Sequence, residues 1–354
     1  MRKIMRFFKY ALLSILSILV LVVLFVYISS RIFIGAKDQK FTDYLKSNRE
    51  QISDRIAGNL FDSNFYDSQI FLFGEIHGYA DNQKVDQYLL EFLNKKAGVK
   101  YYVAEMDSST SNKLNKFLSG NSKDQKLIAE VVTAMKKRIP QQSSKELLDK
   151  WNSIYDYNQT LGDSLKIAVL GVDTDFDNNS RKISRDSAMM ENFTNLLKRH
   201  HLENEKFYGL FGFYHVLQHG PNGGKKPFAE RLKNAGFEVK SLVGYTLESE
   251  MYLPKNPQFP TPKDQKVSWI NADGPMMSVK GIFDFSDLVK PNSMTLFKLD
   301  AEDSPYGNSE KLIAIKSRMF GESFNPQNGT STLDYFQYIV LLKNSKALTP
   351  LKQE

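Results

Sequence analysis

The chain has 354 residues, 42% of them hydrophobic and 25% charged, a balance that supports a packed core and excludes a disordered polymer. Of the formal net charge of +7, five positive charges (Arg2, Lys3, Arg6, Lys9 and Arg31) fall within residues 1–31, which hold no acid, so only +2 remains for the rest. The basic residues of that rest are scattered among acids, so nucleic acid is not an expected partner. The absence of cysteine excludes disulfides, Cys-ligated zinc, thiol nucleophiles and a Cys-borne lipid anchor.

Residues 11–30 form a run without a charge, rich in Leu, Ile and Val, which matches the roughly 20 residues a helix needs to cross a bilayer core. The basic residues 1–10 ahead of it predict a cytoplasmic N-terminus and an extracytoplasmic body. A cleaved signal peptide, giving a secreted or periplasmic protein, is the competing reading. Its apolar region usually spans only about 7–15 residues, and length therefore favours an uncleaved, single-pass signal anchor in the cell membrane. Phe33-Ile34-Gly35-Ala36 offers the alternative cleavage position.

Residues 31–64 read as an amphipathic linker, with a helix over 39–58 suggested by Phe41, Leu45, Ile52 and Ile56. From there strands and helices alternate. Apolar runs predict strands at 69–74, 100–105, 166–172, 206–212 and 237–243, and amphipathic periodicity predicts helices at 81–96, 110–118, 125–137, 145–161, 183–200 and 228–235. Continuous apolar strands separated by helices predict an α/β fold, a mostly parallel, doubly wound sheet covered on both faces. Pro254, Pro257, Pro260 and Pro262 then break the pattern, and residues 246–292 read as an inserted loop or lid. Strands resume at 293–299 and 335–342, so residues 65–354 read as one extracytoplasmic domain.

Ligands of open parallel sheets bind beyond the carboxyl ends of the strands, so the residues following each strand carry the functional expectation. Gly74-Glu75-Ile76-His77-Gly78 follows the first, Glu105-Met106-Asp107 the second, Asp173 and Asp175 the third, and Phe213-Tyr214-His215 the fourth. Glu75 and His77 are two apart, which on extended chain directs both side chains to one side. A carboxylate beside an imidazole either orients a general base or joins it in holding a metal. Arg185 and Asp186 open the helix over 183–200, where a guanidinium leans towards the same rim and pairs with Glu75, Glu105 or an anionic group of a ligand. Ordinary alternatives stand beside these readings: a strand ending in a polar turn for 74–78, and a first-turn acid with a surface Arg for 185–186. His200 and His201 end a helix among basic residues and read as structural, and His219 as an exposed loop residue. No Gly-x-Ser-x-Gly elbow, His-Glu-x-x-His helix, P-loop or dinucleotide fingerprint is present, which argues against serine esterases, zincins, NTPases and NAD enzymes.

Four motifs in order, Gly74-Glu75-Ile76-His77-Gly78, the acid Glu105, Arg185-Asp186-Ser187-Ala188-Met189 and Gly212-Phe213-Tyr214-His215, resemble those of the erythromycin esterase, ChaN-like and TIKI-like superfamily. Leu333-Asp334-Tyr335-Phe336, Ile339-Val340-Leu341-Leu342 and Thr349-Pro350 resemble the closing strand of its esterase-like members. The resemblance spans about residues 66–350, omits the anchor, and finds no counterpart for the segment from Tyr245 to Asn292. It implies an α/β domain with catalytic Glu75, His77, Glu105, Arg185 and His215, and with Gly74, Asp173, Asp186 and Tyr214 near a small-molecule or peptide substrate. Its members divide on chemistry: a histidine base activating water, divalent-metal proteolysis, or haem binding.

Two functions follow. One is a hydrolase of an ester or amide bond in which His77, assisted by a carboxylate, deprotonates water while Arg185 or His215 stabilises the oxyanion; a divalent metal on Glu75, His77 and His215 is its metal-assisted form. The other is a non-enzymatic binder of haem or a metal ion. No cofactor is specified by the residues alone.

Overall fold

The computed structural model describes residues 2–177, 183–255, 261, 263–318 and 323–351. It begins with a long helix, α1 (Arg2–Ile34), followed by α2 (Gln39–Ser47), strand β1 (Arg49–Ile52) and a short helix α3 (Ser63–Tyr66). The parallel unit comprises β2 (Ile70–Glu75), α4 (Ala80–Ala97), β3 (Tyr101–Ala104), α5 (Ser108–Leu118), α6 (Gln125–Ala134), α7 (Lys145–Gln159), β4 (Ala168–Gly171), α8 (Arg185–His200), β5 (Phe207–Gly212), α9 (Phe228–Asn234) and β6 (Val239–Leu247). After it come β7 (Met251–Leu253), β8 (Gln265–Val267), β9 (Met277–Val279), β10 (Ser293–Lys298), β11 (Ile315–Ser317) and β12 (Tyr338–Lys343).

Eight strands form one sheet in the order β1-β10-β12-β6-β2-β5-β3-β4. The six from β12 to β4 are mutually parallel, whereas β10 pairs antiparallel with β12, and β1 antiparallel with β10. The expected α/β, mostly parallel, doubly wound sheet with flanking helices is what the chain forms. Alternation of buried residues shows both faces covered: Ile70 and Leu72 of β2 join a core with α8 and α9, while Phe71 and Phe73 join a second core with α4 to α7. Helix starts follow local chemistry. Asp107, Asp124 and Ser144 each cap a helix by accepting the backbone N–H three residues on.

The chain enters β2 at the centre, moves outward through β3 and β4, returns to insert β5 beside β2, then crosses to β6 on β2's other side. Crossovers therefore diverge from the carboxyl ends of β2 and β5, and a crevice opens there.

Two expectations require correction. Residues 39–58 are not one helix: α2 ends at Ser47, and Arg49–Ile52 pair with β10 as the sheet's edge strand, because Glu50 and Ile52 are drawn inward by the sheet and Phe41 and Leu45 by the core. The end of α1 is docked on the body. Ser30 and Ile34, at the end of α1, are buried; Gly281 donates its N–H to the Ile34 carbonyl (2.8 Å) and Arg318 donates to Ser29 Oγ (2.7 Å).

Residues 246–292 are also more than a loop. Residues 246 and 247 complete β6, β7 pairs with β8, and β9 pairs with β11. Leu253, Val267, Ile270, Val279 and Phe285 of this segment enter the core. Pro254 is described, whereas Pro257, Pro260 and Pro262 lie outside the described residues. Helix α1 is long and apolar enough to cross a membrane, and its most apolar stretch is unburied by the rest of the chain.

Candidate active site

The carboxyl ends of β2, β3 and β5, together with the start of α8, surround a cavity of about 820 Å³ lined by Glu75, His77, Glu105, Arg185, Tyr214 and His215 among others. That size falls in the range of about 300–1,000 Å³ typical of small-molecule sites.

Glu75 is the last residue of β2 and is almost fully buried. Its Oε1 accepts from Gln142 Nε2 at 2.7 Å and lies 2.8 Å from His77 Nδ1. The opposite ring nitrogen, Nε2, faces Gly212: a Cβ built there would lie 3.2 Å from His77 Nε2 and 3.5 Å from His215 Cδ2. The two imidazoles therefore flank one point on the cavity floor, although 138 residues separate them in sequence. Gly78, with φ at +108°, turns the chain sharply after His77; a Cβ on it would come within 2.7 Å of the Tyr252 carbonyl, so only glycine fits.

The second imidazole has its own carboxylate. His215 lies in a 3₁₀ turn after β5, and its Nδ1 is 2.6 Å from Asp186 Oδ1. Asp186 is in the first turn of α8, whose cap Ser184 accepts the Ser187 N–H, and the Asp186 carboxylate also accepts the Phe228 N–H that opens α9. One acid thus fixes the ring and joins two helix starts.

Between the imidazoles sits a charged core. Arg185 pairs with Glu105 Oε1 at 2.7 Å and forms a forked bond to Asp173, with Nε at 3.0 Å from Oδ1. Glu105 Oε2 accepts the Gly212 N–H at 2.6 Å. Burial alone would raise the Glu105 pKa, but Arg185, His215, His77 and the Gly212 N–H outweigh it and hold the carboxylate below its usual range. Burial pulls both histidines the other way. The Glu75 bond and charge, with Glu105 further off, raise His77 above the ordinary imidazole value; Glu105 and Asp186 do the same for His215. Arg185, despite burial, is held more firmly cationic by Glu105 and Asp173.

The structure places the nine expected site residues as follows. Glu75, His77, Glu105, Arg185, His215 and Tyr214 line the common cavity. Asp173 and Asp186 do not line it but lie behind it, occupied by Arg185 and His215. Gly74 is also displaced from the expected role, because a Cβ on it would strike Val216 at 2.3 Å; it allows the turn after β5 to pack on β2. The metal set Glu75, His77 and His215 is not assembled: among the described residues no three His, Asp or Glu side chains are disposed to hold an ion, and Arg185 Nη1 lies 3.5 Å from His215 Nε2.

Sequence reading missed Gln142, which holds Glu75, and Arg138, which bonds Thr174 at 2.7 Å and pairs with Asp173 at 3.5 Å. Both come from the turns between α6 and α7, where no motif marks them. It also missed the apolar wall formed by Met251, Leu253, Ile270, Met277 and Ile315.

No protein-family model matches the chain, and no curated protein matches it. Solved structures do. A Bacillus cereus protein is similar with a TM-score of 0.62 at 12% identity, over 90% of this chain and 100% of that one. A succinoglycan biosynthesis protein matches with a TM-score of 0.60 at 12% identity, over 88% and 98%. A histidine-to-asparagine mutant of the erythromycin esterase EreC in its open conformation matches with a TM-score of 0.56 at 10% identity, over 84% and 98%. The chain thus has the erythromycin esterase-like α/β fold, as its motifs suggested.

Proposed function

We propose that this protein is a membrane-anchored hydrolase of an ester or amide bond, with α1 crossing the cell membrane once, the N-terminus cytoplasmic and the body extracytoplasmic. The observation that carries the activity is the Glu75–His77 pair, with Nδ1 on the carboxylate and Nε2 on the floor of a cavity it shares with Arg185, Glu105 and His215. In this reading neutral His77 donates Nδ1–H to Glu75 and presents the Nε2 lone pair to water. Water oxygen attacks the carbonyl carbon, Nε2 takes the proton, and the imidazolium returns it to the departing oxygen or nitrogen as the bond to carbon breaks. Arg185 is occupied by two carboxylates, so protonated His215, held by Asp186, is the better placed group for the oxyanion. The fold shared with an erythromycin esterase supports hydrolysis of an ester without specifying this substrate.

The test is turnover of a panel of esters by the full-length protein, with and without chelator. His77→Ala is expected to lower turnover by ~10²–10⁴-fold, the usual worth of a positioned base. Turnover unchanged by that substitution refutes the assignment. A haem Soret band lost with His77→Ala or His215→Ala, without ester turnover, establishes the binder instead.

A further inference from the structure

The cavity and the membrane helix share a wall. Strand β9 packs against α1 on one side, and Pro275, just before it, accepts a hydrogen bond from Ser30 Oγ at 3.2 Å. On the other side Met277 of β9 and Ile315 and Ser317 of β11 line the cavity, with Met277 and Ser317 directly paired. Strand β9 thus touches both α1 and the cavity. Ser29 and Ser30, the last residues of that run, are themselves bound to the body, and Arg31 stacks on Phe283 at 4.6 Å. The body is therefore fixed to the end of the apolar run without an intervening flexible tether.

The lining is asymmetric in the same direction. Glu75, His77, Glu105, Arg185 and His215 sit on the sheet side, whereas Met251, Leu253, Ile270, Met277 and Ile315 make the side built on β7, β9 and β11 mostly apolar, with Lys255 and Ser317 as its polar exceptions. A substrate matching both has a polar carbonyl end and an apolar chain, and the apolar flank is the one next to the anchor.

We infer that this site acts on an amphiphile resident in the bilayer leaflet against which the body sits, cleaving an ester or amide at its polar end while the chain lies along Met277 and Ile315. The inference rests on the hydrolase reading above and specifies its substrate class.

The full-length protein in phosphatidylcholine vesicles tests it, with p-nitrophenyl palmitate and p-nitrophenyl acetate as probes and His77→Ala as the background. A second variant carries ten Gly and Ser residues inserted between Ile28 and Ser29, which keeps the docked turn with the body but frees the body from the bilayer. The expected result is palmitate turnover exceeding acetate turnover, falling about tenfold or more with the spacer as the effective concentration set by the short connection is lost, while acetate turnover stays unchanged. An unchanged thermal unfolding midpoint of the spacer variant shows that the body is intact. Acetate turned over as well as palmitate, or palmitate turnover indifferent to the spacer, overturns the inference and leaves the hydrolase standing. Absence of His77-dependent turnover of either probe overturns both.

Discussion

Two charge clusters lie on this sheet, and they differ in one respect that separates structure from function. In the core under α4 and α7, Asp86 receives Tyr208 at 2.8 Å, Tyr102 at 2.9 Å and Lys150 Nζ at 2.5 Å, with every member buried. Burial and the Asp86 charge push both tyrosines far above their ordinary values, so they stay neutral donors. The cluster is closed, with its acid fully occupied. At the strand ends, by contrast, the His77, His215 and Arg185 side chains keep 25%, 17% and 29% of their surface exposed and open to a cavity. Buried charge by itself is therefore a poor marker of function; buried acids that orient partly exposed bases are the better one.

Substitution should sharpen that contrast. The largest effect on chemistry is expected at His77, where alanine removes ~10²–10⁴-fold of turnover. Lys150→Ala should act on stability instead. It strands Asp86 in the core at a cost of about 3–5 kcal/mol in a denaturant titration, while kcat/KM per folded molecule stays at the wild-type level. If Lys150→Ala abolished turnover in folded protein, the division between closed and open clusters would fail.

A smaller effect is expected at the second imidazole. Asp186→Asn leaves His215 in place but weakens its cationic form, so turnover should fall about 10- to 100-fold, short of the ~10²–10³ for deleting an oxyanion donor outright. The smallest is a pH effect. His77 and His215 are raised above 6.5 in the folded protein. Their stabilising contribution is complete below 6.5 and is lost as pH rises through the raised folded values. His77 must be neutral to accept a proton and His215 protonated to hold the oxyanion, so turnover should rise as His77 loses its proton and fall as His215 loses its own, a bell-shaped profile. Stability is thus expected to fall steadily above pH 6.5 while turnover passes through a maximum, which parallel rate and unfolding profiles would check; turnover with no rising limb would count against His77 as the base.

Legibility of the fold followed the period of each signal. The runs at 69–74 and 206–212 became β2 and β5 because strands buried on both faces are uniformly apolar, a pattern that requires no knowledge of neighbours. The segment at 49–52 was not legible, since REQI looks like part of an amphipathic helix until β10 offers it an edge. The insertion was invisible as structure for a similar reason: three-residue strands such as β7 and β9 carry too little periodicity to read.

The site divides in the same way. Glu75 and His77 are two residues apart, so the turn that ends β2 brings carboxylate and imidazole together without help from distant segments. Asp186 and His215 are 29 residues apart, and Gln142 is 67 from Glu75, so the partners that orient the two acid–imidazole pairs depend on loop ends converging at one rim. The sequence by itself determined a parallel α/β body behind an apolar helix, because burial on two faces and span length are properties of single segments. Only the tertiary structure decided which acids orient and which face the cavity, and that the end of α1 packs on the strand lining that cavity, because those are relations between segments that no local pattern encodes.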